Sequence, residues 1–155
     1  MEAYRLGCGE GVGRGMAKRR VVILDSNTLI YIVSGLITLD AIVEAAGGPG
    51  LELVTTDAVI DELKALAGES RGLKARRARA ALYLTEKIGV SIVKTGLKDA
   101  DDSLEAAALR LKGEGAMVYV ATSDRELRRR LRIHGLPTIY YRESKGDVEV
   151  EWEPI

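Results

Sequence analysis

Two apolar runs in this chain end in a carboxylate. The run VVIL at 21–24 leads into Asp25, and AMVYVA at 116–121 leads through Thr122 and Ser123 into Asp124. Uninterrupted runs of this kind read as strands buried on both faces, the habit of central parallel strands. The carboxyl ends of such strands, beside a switch in strand order, are where open α/β sheets bind ligands. Each aspartate could equally cap the helix after it, because Asp, Ser and Asn are all good N-caps. Neither acid decides the matter alone, but more acids follow the same pattern. Glu62 falls at the border of the apolar stripe Val59, Ile60, Leu63 and Leu66, whereas Asp61 points away from it. Asp101 and Asp102 open another helix, with Asp99 just before them. Carboxylates gathered at one edge raise one another's pKa unless a divalent cation neutralises them. Oxygen-only ligation selects hard ions, Mg²⁺ or Mn²⁺, and the chemistry such ions support at phosphorus is hydrolysis of a phosphodiester bond.

The elements that must position these acids can be read in order. A strand at 21–24 precedes helical stretches at 28–33 and 36–46, interrupted at Ser34-Gly35 and stopped by Gly47-Gly48-Pro49-Gly50. A short strand at 51–54 meets Thr55-Thr56, which can cap a helix over 57–66. The longest helix is predicted over 71–88, with Leu73, Ala80, Leu84 and Ile88 as its buried side. A strand at 90–93, a helix within 97–111 and the strand at 116–121 come next. An Arg-rich helix then ends near His134-Gly135, where His134 reads as part of the helix end rather than as a catalyst. A strand at 136–141 and an alternating edge strand at 147–152 close the chain. Strands alternating with helices predict an α/β fold, a parallel sheet with helices on both faces. The crossover rules then make the first and fourth strands neighbours around the switch point, with Asp25 and Asp124 facing each other across one cleft. Residues 20–155 read as a single domain preceded by a flexible Gly-rich, basic tail at 1–19, within which Met16 offers a second translation start.

Composition narrows the chemistry. The single cysteine, Cys8, excludes an intramolecular disulfide and a multi-cysteine metal site, and the single histidine, His134, excludes a zinc cluster. No apolar run is long enough to span a bilayer, so a cytoplasmic protein without membrane partners is expected. The 23 basic and 23 acidic residues cancel, yet they are segregated. Arginines crowd 71–79 and 125–132, and local basic patches attract phosphate backbones even when the total is neutral. There is no glutamine and one asparagine, Asn27, beside Asp25; this depletion, with the high charge content, matches the composition of thermophile proteins.

The segments VVILDSN, VTTDAVIDELKAL, ADDSLEAAALRL and VATSDRELRRRLRIHGLPTIYY, in this order across nearly all of 20–142, resemble the PIN-domain ribonucleases. The ADD segment and the Arg-rich one resemble the branch that processes small-subunit ribosomal RNA. The resemblance implies a three-layer α/β/α fold around five parallel strands, here with an extra C-terminal edge strand. It also implies an acidic Mg²⁺ or Mn²⁺ site on Asp25, Glu62, Asp101 or Asp102, and Asp124, supported by Ser26, Asn27, Thr122 and Ser123. On this view Asp25 and Asp124 are the principal ligands, one of the adjacent aspartates adds another, and Glu62 holds a water or a second ion. Arg128, Arg129, Arg130 and Arg132 would contact RNA phosphates, since Arg binds them bidentately. RNA is the implied partner; a homodimer, an antitoxin or a ribosome-assembly factor are further partners this resemblance allows.

Three rival readings can be separated by experiment. The strand followed by Asp25-Ser26-Asn27-Thr28 is similar to the nucleophile motif of haloacid-dehalogenase-like phosphatases, but the second acid of that motif is Asn27 here. A toxin-type ribonuclease of a toxin–antitoxin pair would share the site and differ in its RNA. A non-catalytic RNA-binding or assembly module would keep the fold without turnover.

Overall fold

A computed structural model describes residues 18–69 and 71–152. Most of the expected N-terminal tail, including Met16, therefore lies outside the described residues. The elements run β1 (Arg20–Leu24), α1 (Ser26–Val33), α2 (Leu39–Ala45), β2 (Glu52–Thr56), α3 (Asp57–Gly68), α4 (Leu73–Lys87), β3 (Ser91–Val93), α5 (Ala100–Gly113), β4 (Met117–Ala121), α6 (Arg125–Ile133), β5 (Thr138–Arg142) and β6 (Asp147–Glu151). One sheet of order β3-β2-β1-β4-β5-β6 joins the strands. The first five are parallel, and β6 returns antiparallel to β5 through a turn that places Gly146 at positive φ. This is the expected three-layer arrangement with its extra edge strand.

Why β1 lies at the centre follows from its composition. Val21, Val22, Ile23 and Leu24 are each fully buried, as only a strand covered on both faces and flanked on both edges can be. Its register against β4 pairs Leu24 with Ala121, so the next residues on each strand, Asp25 and Thr122, emerge side by side. The chain goes from β1 to β2 on one side and reaches β4 on the other, so the strand order reverses between β1 and β4. At the opposite end of β1, Arg20 donates from Nη1 to the carbonyls of Ala46 (2.6 Å) and Gly48 (2.9 Å) and from Nη2 to that of Pro49. This satisfies the end of α2 and the glycine turn that returns the chain to β2.

The helices mostly fall where periodicity placed them, with one correction. Helix α4 buries Ala75, Ala78, Ala81 and Thr85 rather than the predicted leucine side, and Leu73 is 52% exposed. Small side chains let α4 approach its neighbours α3 and α1 closely. Among the described residues no helix is long and apolar enough to cross a membrane.

Candidate functional site

Asp25 occupies the N-cap position of α1 without behaving as an ordinary cap. Thr38, Thr56, Asp99 and Asp124 each accept from the amide three residues on, in Ala41, Val59, Asp102 and Leu127, the usual capping bond. Asp25 instead accepts from the adjacent Ser26 amide (2.6 Å), from Thr122 Oγ1 (2.6 Å) and from Asn27 Nδ2 (3.2 Å). Its side chain is thus turned toward the end of β4. It is 4% exposed. Burial, offset in part by the Thr122 and Ser26 hydrogen bonds, pushes its carboxyl above the usual range, and the nearby Glu62 and Asp124 carboxylates push further in the same direction.

Asp101 projects from the first turn of α5 toward the same place. Its carboxyl is raised from 3.8 to about 6, first by burial and then by Asp124, Asp25 and Asp99, with Arg130 acting in the opposite direction. Asp102, its neighbour, is occupied elsewhere: Arg130 Nη2 donates to its Oδ1 at 2.9 Å and also to Glu105 Oε1 at 2.5 Å. Successive helical residues diverge by about 100°, so one of the pair faces the edge and the other faces α6. Asp124 caps α6 through the Leu127 amide at 2.9 Å and receives no side-chain cation among the described residues. Glu62 is exposed and, with Asp101, Asp99, Asp61 and Lys98, lines an open cleft of about 430 Å³. The acids are not wholly without cations: Lys98 borders that cleft, and the field of Arg130 reaches Asp101.

The supporting residues meet at the same strand ends. Asn27 accepts the Ser123 amide at 3.3 Å while donating to Asp25, and Thr122 both donates to Asp25 and accepts the Asp124 amide at 3.2 Å. The general-acid position of the phosphatase motif is thus an amide tied into this network. Ser26 contributes its backbone amide; its hydroxyl is 3.5 Å from Asp25 Oδ1.

Several residues that build the edge were not singled out from the sequence. Thr28 Oγ1 donates to the Ala121 carbonyl (2.8 Å), Thr55 Oγ1 to the Leu24 carbonyl (2.7 Å), and Ser103 Oγ to the Ala100 carbonyl (2.8 Å). With its proton so committed, Ser103 accepts from Thr56 Oγ1 at 2.7 Å, joining the start of α3 to α5. Asp57 accepts from the Thr95 amide (3.0 Å), the Thr95 hydroxyl (2.8 Å), the Gly96 amide (2.9 Å) and the Ala58 amide (3.0 Å). These bonds, the Gly96 amide foremost, hold its carboxyl down at about 2. They clamp the loop that delivers Asp101. The sequence signal was TTD at the end of a strand, the same small-polar-then-acid pattern as TSD after β4.

The arginines of α6 divide between two sides. Arg130 is held by α5. Arg128 and Arg132 face β6, where Glu151 Oε1 lies 2.8 Å from Arg128 Nη1 and 3.4 Å from Arg132 Nε. Arg129 is exposed. His134 is the C-cap of α6, as expected, and its Nε2 lies 3.0 Å from Glu105.

As to what the acids could hold, their donor set is all oxygen. Two of its members, Asp25 and Asp101, carry protons more tightly than usual, first because they are buried and then because carboxylates crowd them. A hard divalent cation would relieve that crowding, so the donor set fits one. Among the described residues, no three His, Cys, Asp or Glu side chains already stand around a common point.

A mainly parallel sheet with acids at its β1/β4 switch point defines a three-layer α/β domain of nuclease type, and the comparisons agree. The family described as PIN like domain matches residues 22–144. Ribonuclease VapC4 of Methanocaldococcus jannaschii is 30% identical over 125 residues, which cover 80% of this chain and 92% of that protein. Among solved structures, that of the PIN domain endonuclease Utp24 aligns with a TM-score of 0.67 and 23% identity over 87% of this chain and 95% of its own. VapBC-1 from nontypeable Haemophilus influenzae aligns more distantly, with a TM-score of 0.43, 21% identity, and 75% and 94% of the two chains covered. The chain belongs to the PIN-like domain family of nucleases.

Proposed function

We propose that this protein is a divalent-metal-dependent endoribonuclease whose site is formed by Asp25, Asp101 and Asp124, with Glu62 at its margin. The observation that carries this reading is the gathering of carboxylates at the β1/β4 switch point: Asp25 and Asp101 are both raised first by burial and then by neighbouring acids, Glu62 and Asp124 at Asp25, Asp124 and Asp25 at Asp101. A bound Mg²⁺ or Mn²⁺ supplies Lewis-acid polarisation and water activation for attack at phosphorus. The chain's own part is orientation. Thr122, Asn27 and the Ser26 amide fix the rotamer of Asp25, and the α6 cap fixes Asp124. The Asp57 clamp and the Thr56–Ser103 hydroxyl pair set the height of α5, and with it Asp101. Asp102 we assign to the Arg130 ion pair rather than to the ion.

For substrate, a precursor of small-subunit ribosomal RNA follows from the motif resemblance over 20–142, and the named ribonuclease relative supports RNA as the class. The motif resemblance also allows a second reading, a toxin-type ribonuclease restrained by an antitoxin. Cleavage of ribosomal precursor, transfer and generic RNA, assayed metal by metal with Asp25→Asn as control, tests both. The expected result is cleavage in Mg²⁺ or Mn²⁺, none in chelator and none in the variant. Undiminished cleavage by Asp25→Asn would refute the site, and preference for transfer RNA would select the second reading.

A further inference from the structure

The face of α6 turned toward β6 holds a second feature that the acid site does not use. Arg125, Arg128, Arg129 and Arg132, with Glu126 and Glu151, line an open cleft of about 480 Å³. It starts one residue after Asp124 and follows α6 for roughly 12 Å to Arg132, at about 1.5 Å per residue. Within it, one carboxylate oxygen, Glu151 Oε1, lies 2.8 Å from Arg128 Nη1, 3.4 Å from Arg132 Nε and 3.0 Å from Thr138 Oγ1, whose hydroxyl donates to it. Two hydrogen-bond donors and a second guanidinium in ion-pair range, whose Nε donates to the Arg128 carbonyl, surround one anionic oxygen much as an arginine-rich site surrounds a phosphate oxygen. Arg128 is fixed there: its guanidinium lies 4.0 Å from the centre of the Tyr140 ring, so its plane is set before any ligand arrives. Its Nε is buried without a hydrogen-bond partner among the described residues. A buried N–H without a partner carries a desolvation cost that a better-placed anion can remove. Glu151 therefore meets only part of the donor capacity of this cleft.

We infer that the α6/β6 cleft is a subsite for the RNA phosphodiester backbone flanking the cleaved bond, and that Glu151 is a built-in anionic occupant which an RNA phosphate displaces. This rests on the ribonuclease reading above and adds to it a track of definite direction, running from Asp124 along α6 toward β5 and β6. Displacement needs only rotation of the Glu151 side chain, because β6 is held independently by its ladder to β5 and by Val148 and Val150 against the core. Glu151 lowers affinity for non-cognate polyanions as well, so it acts as a local brake on binding.

The test is binding of a short single-stranded oligoribonucleotide in chelator, followed by fluorescence anisotropy across a salt series, with cleavage of the same RNA measured in Mn²⁺. Glu151→Gln keeps the shape and removes the charge. It should bind about threefold or more tightly, the scale of one partly exposed ion pair, and should steepen the plot of log affinity against log salt by about one unit of slope. Arg129→Gln, at an exposed position where folding is not at stake, should bind about threefold or more weakly with a shallower slope. A folded Glu151→Gln that binds no tighter than the parent, or an Arg129→Gln that binds as tightly as the parent, overturns the inference. Loss of cleavage in Asp25→Asn together with either of those results leaves the nuclease reading standing and removes the subsite alone. Failure of the parent protein both to bind and to cleave RNA removes both.

Discussion

The carboxylate edge and the arginine helix adjoin at Asp124, and they treat like charges in opposite ways. Along α6 the charges are matched: Arg128 and Arg132 share Glu151, and Arg130 is shared by Asp102 and Glu105. At the strand ends Asp25, Asp101 and Asp124 stand close together, offset at Asp25 by the Thr122 and Ser26 hydrogen bonds and at Asp101 by the pull of Arg130. Matched charges make a surface that holds together unaided. Crowded ones cost folding free energy and persist where a ligand supplies the missing charge. The difference separates, within a few residues of one helix cap, charges already answered inside the protein from charges that call for a ligand.

Substitutions at the two regions should therefore diverge, most of all at Asp25. Asp25→Asn removes a buried, disfavoured charge. Cleavage should fall by at least about a hundredfold, the scale on which a positioned group matters to a transition state, while the thermal midpoint holds or rises. A drop in midpoint together with the loss would mean that Asp25 is chiefly structural.

Next in size is the contrast within the adjacent pair. Asp101→Asn should cost on the order of a hundredfold in cleavage rate, and Asp102→Asn only severalfold, because Asp102 is exposed and paired with Arg130. Equal losses would erase the distinction between matched and crowded charge on which the assignment rests.

Crowded and well-bonded carboxylates should also respond oppositely to pH. A carboxyl whose folded pKa lies above its unfolded one stabilises the fold below the unfolded value and loses that contribution as pH rises through the folded one. For Asp101 the window runs from 3.8 to about 6. Urea titrations should show Asp101→Asn gaining on the parent across that window and staying ahead above it. Asp57, held at about 2, has the reverse sign: its contribution is complete above 3.8 and fades as pH falls toward 2. Asp57→Ala should lose about 1–2 kcal/mol at neutral pH, the worth of hydrogen bonds to a charged acceptor, and the deficit should narrow in acid. A deficit independent of pH would show that the clamp does not work through the carboxylate.

The smallest effect belongs to the matched side. Arg130→Gln should lower stability by at most about 1 kcal/mol, since the pair is partly exposed. Its influence on cleavage should appear as a lower rate at saturating RNA rather than weaker binding, because it positions α5.

How much of this was legible in the sequence depends on range. The ends of β1 and β4 were readable because unbroken apolar runs admit few other fates, and an acid follows directly after β1 and within three residues after β4. The choice between Asp101 and Asp102 was not, because the helix behind them is apolar nearly all round and only Arg130, 28 residues away along the chain, distinguishes them. The α4 face was misread for a related reason. Leucine and alanine spaced alike on a wheel look alike, and the closeness of α3 and α1 selects the smaller residue. The roles of Thr28, Thr55, Thr56 and Ser103 stayed hidden because a threonine beside a strand end reads as β propensity or a cap, and its partner lies on another element. The arginine run looked like one basic face. Its division between α5 and β6 depends on which acids those elements present.

The buried hydroxyls at the strand ends bear on protein design. Because Thr28, Thr55, Thr56, Ser103 and Thr122 fasten strand carbonyls, helix starts and Asp25 to one another, the acids have no geometry of their own that could be lifted out. Grafting the aspartates onto another parallel sheet would carry over the charge without the placement. The smallest portable version of this site is the acids together with their hydroxyl scaffold, and a transplant that keeps both is the one expected to work.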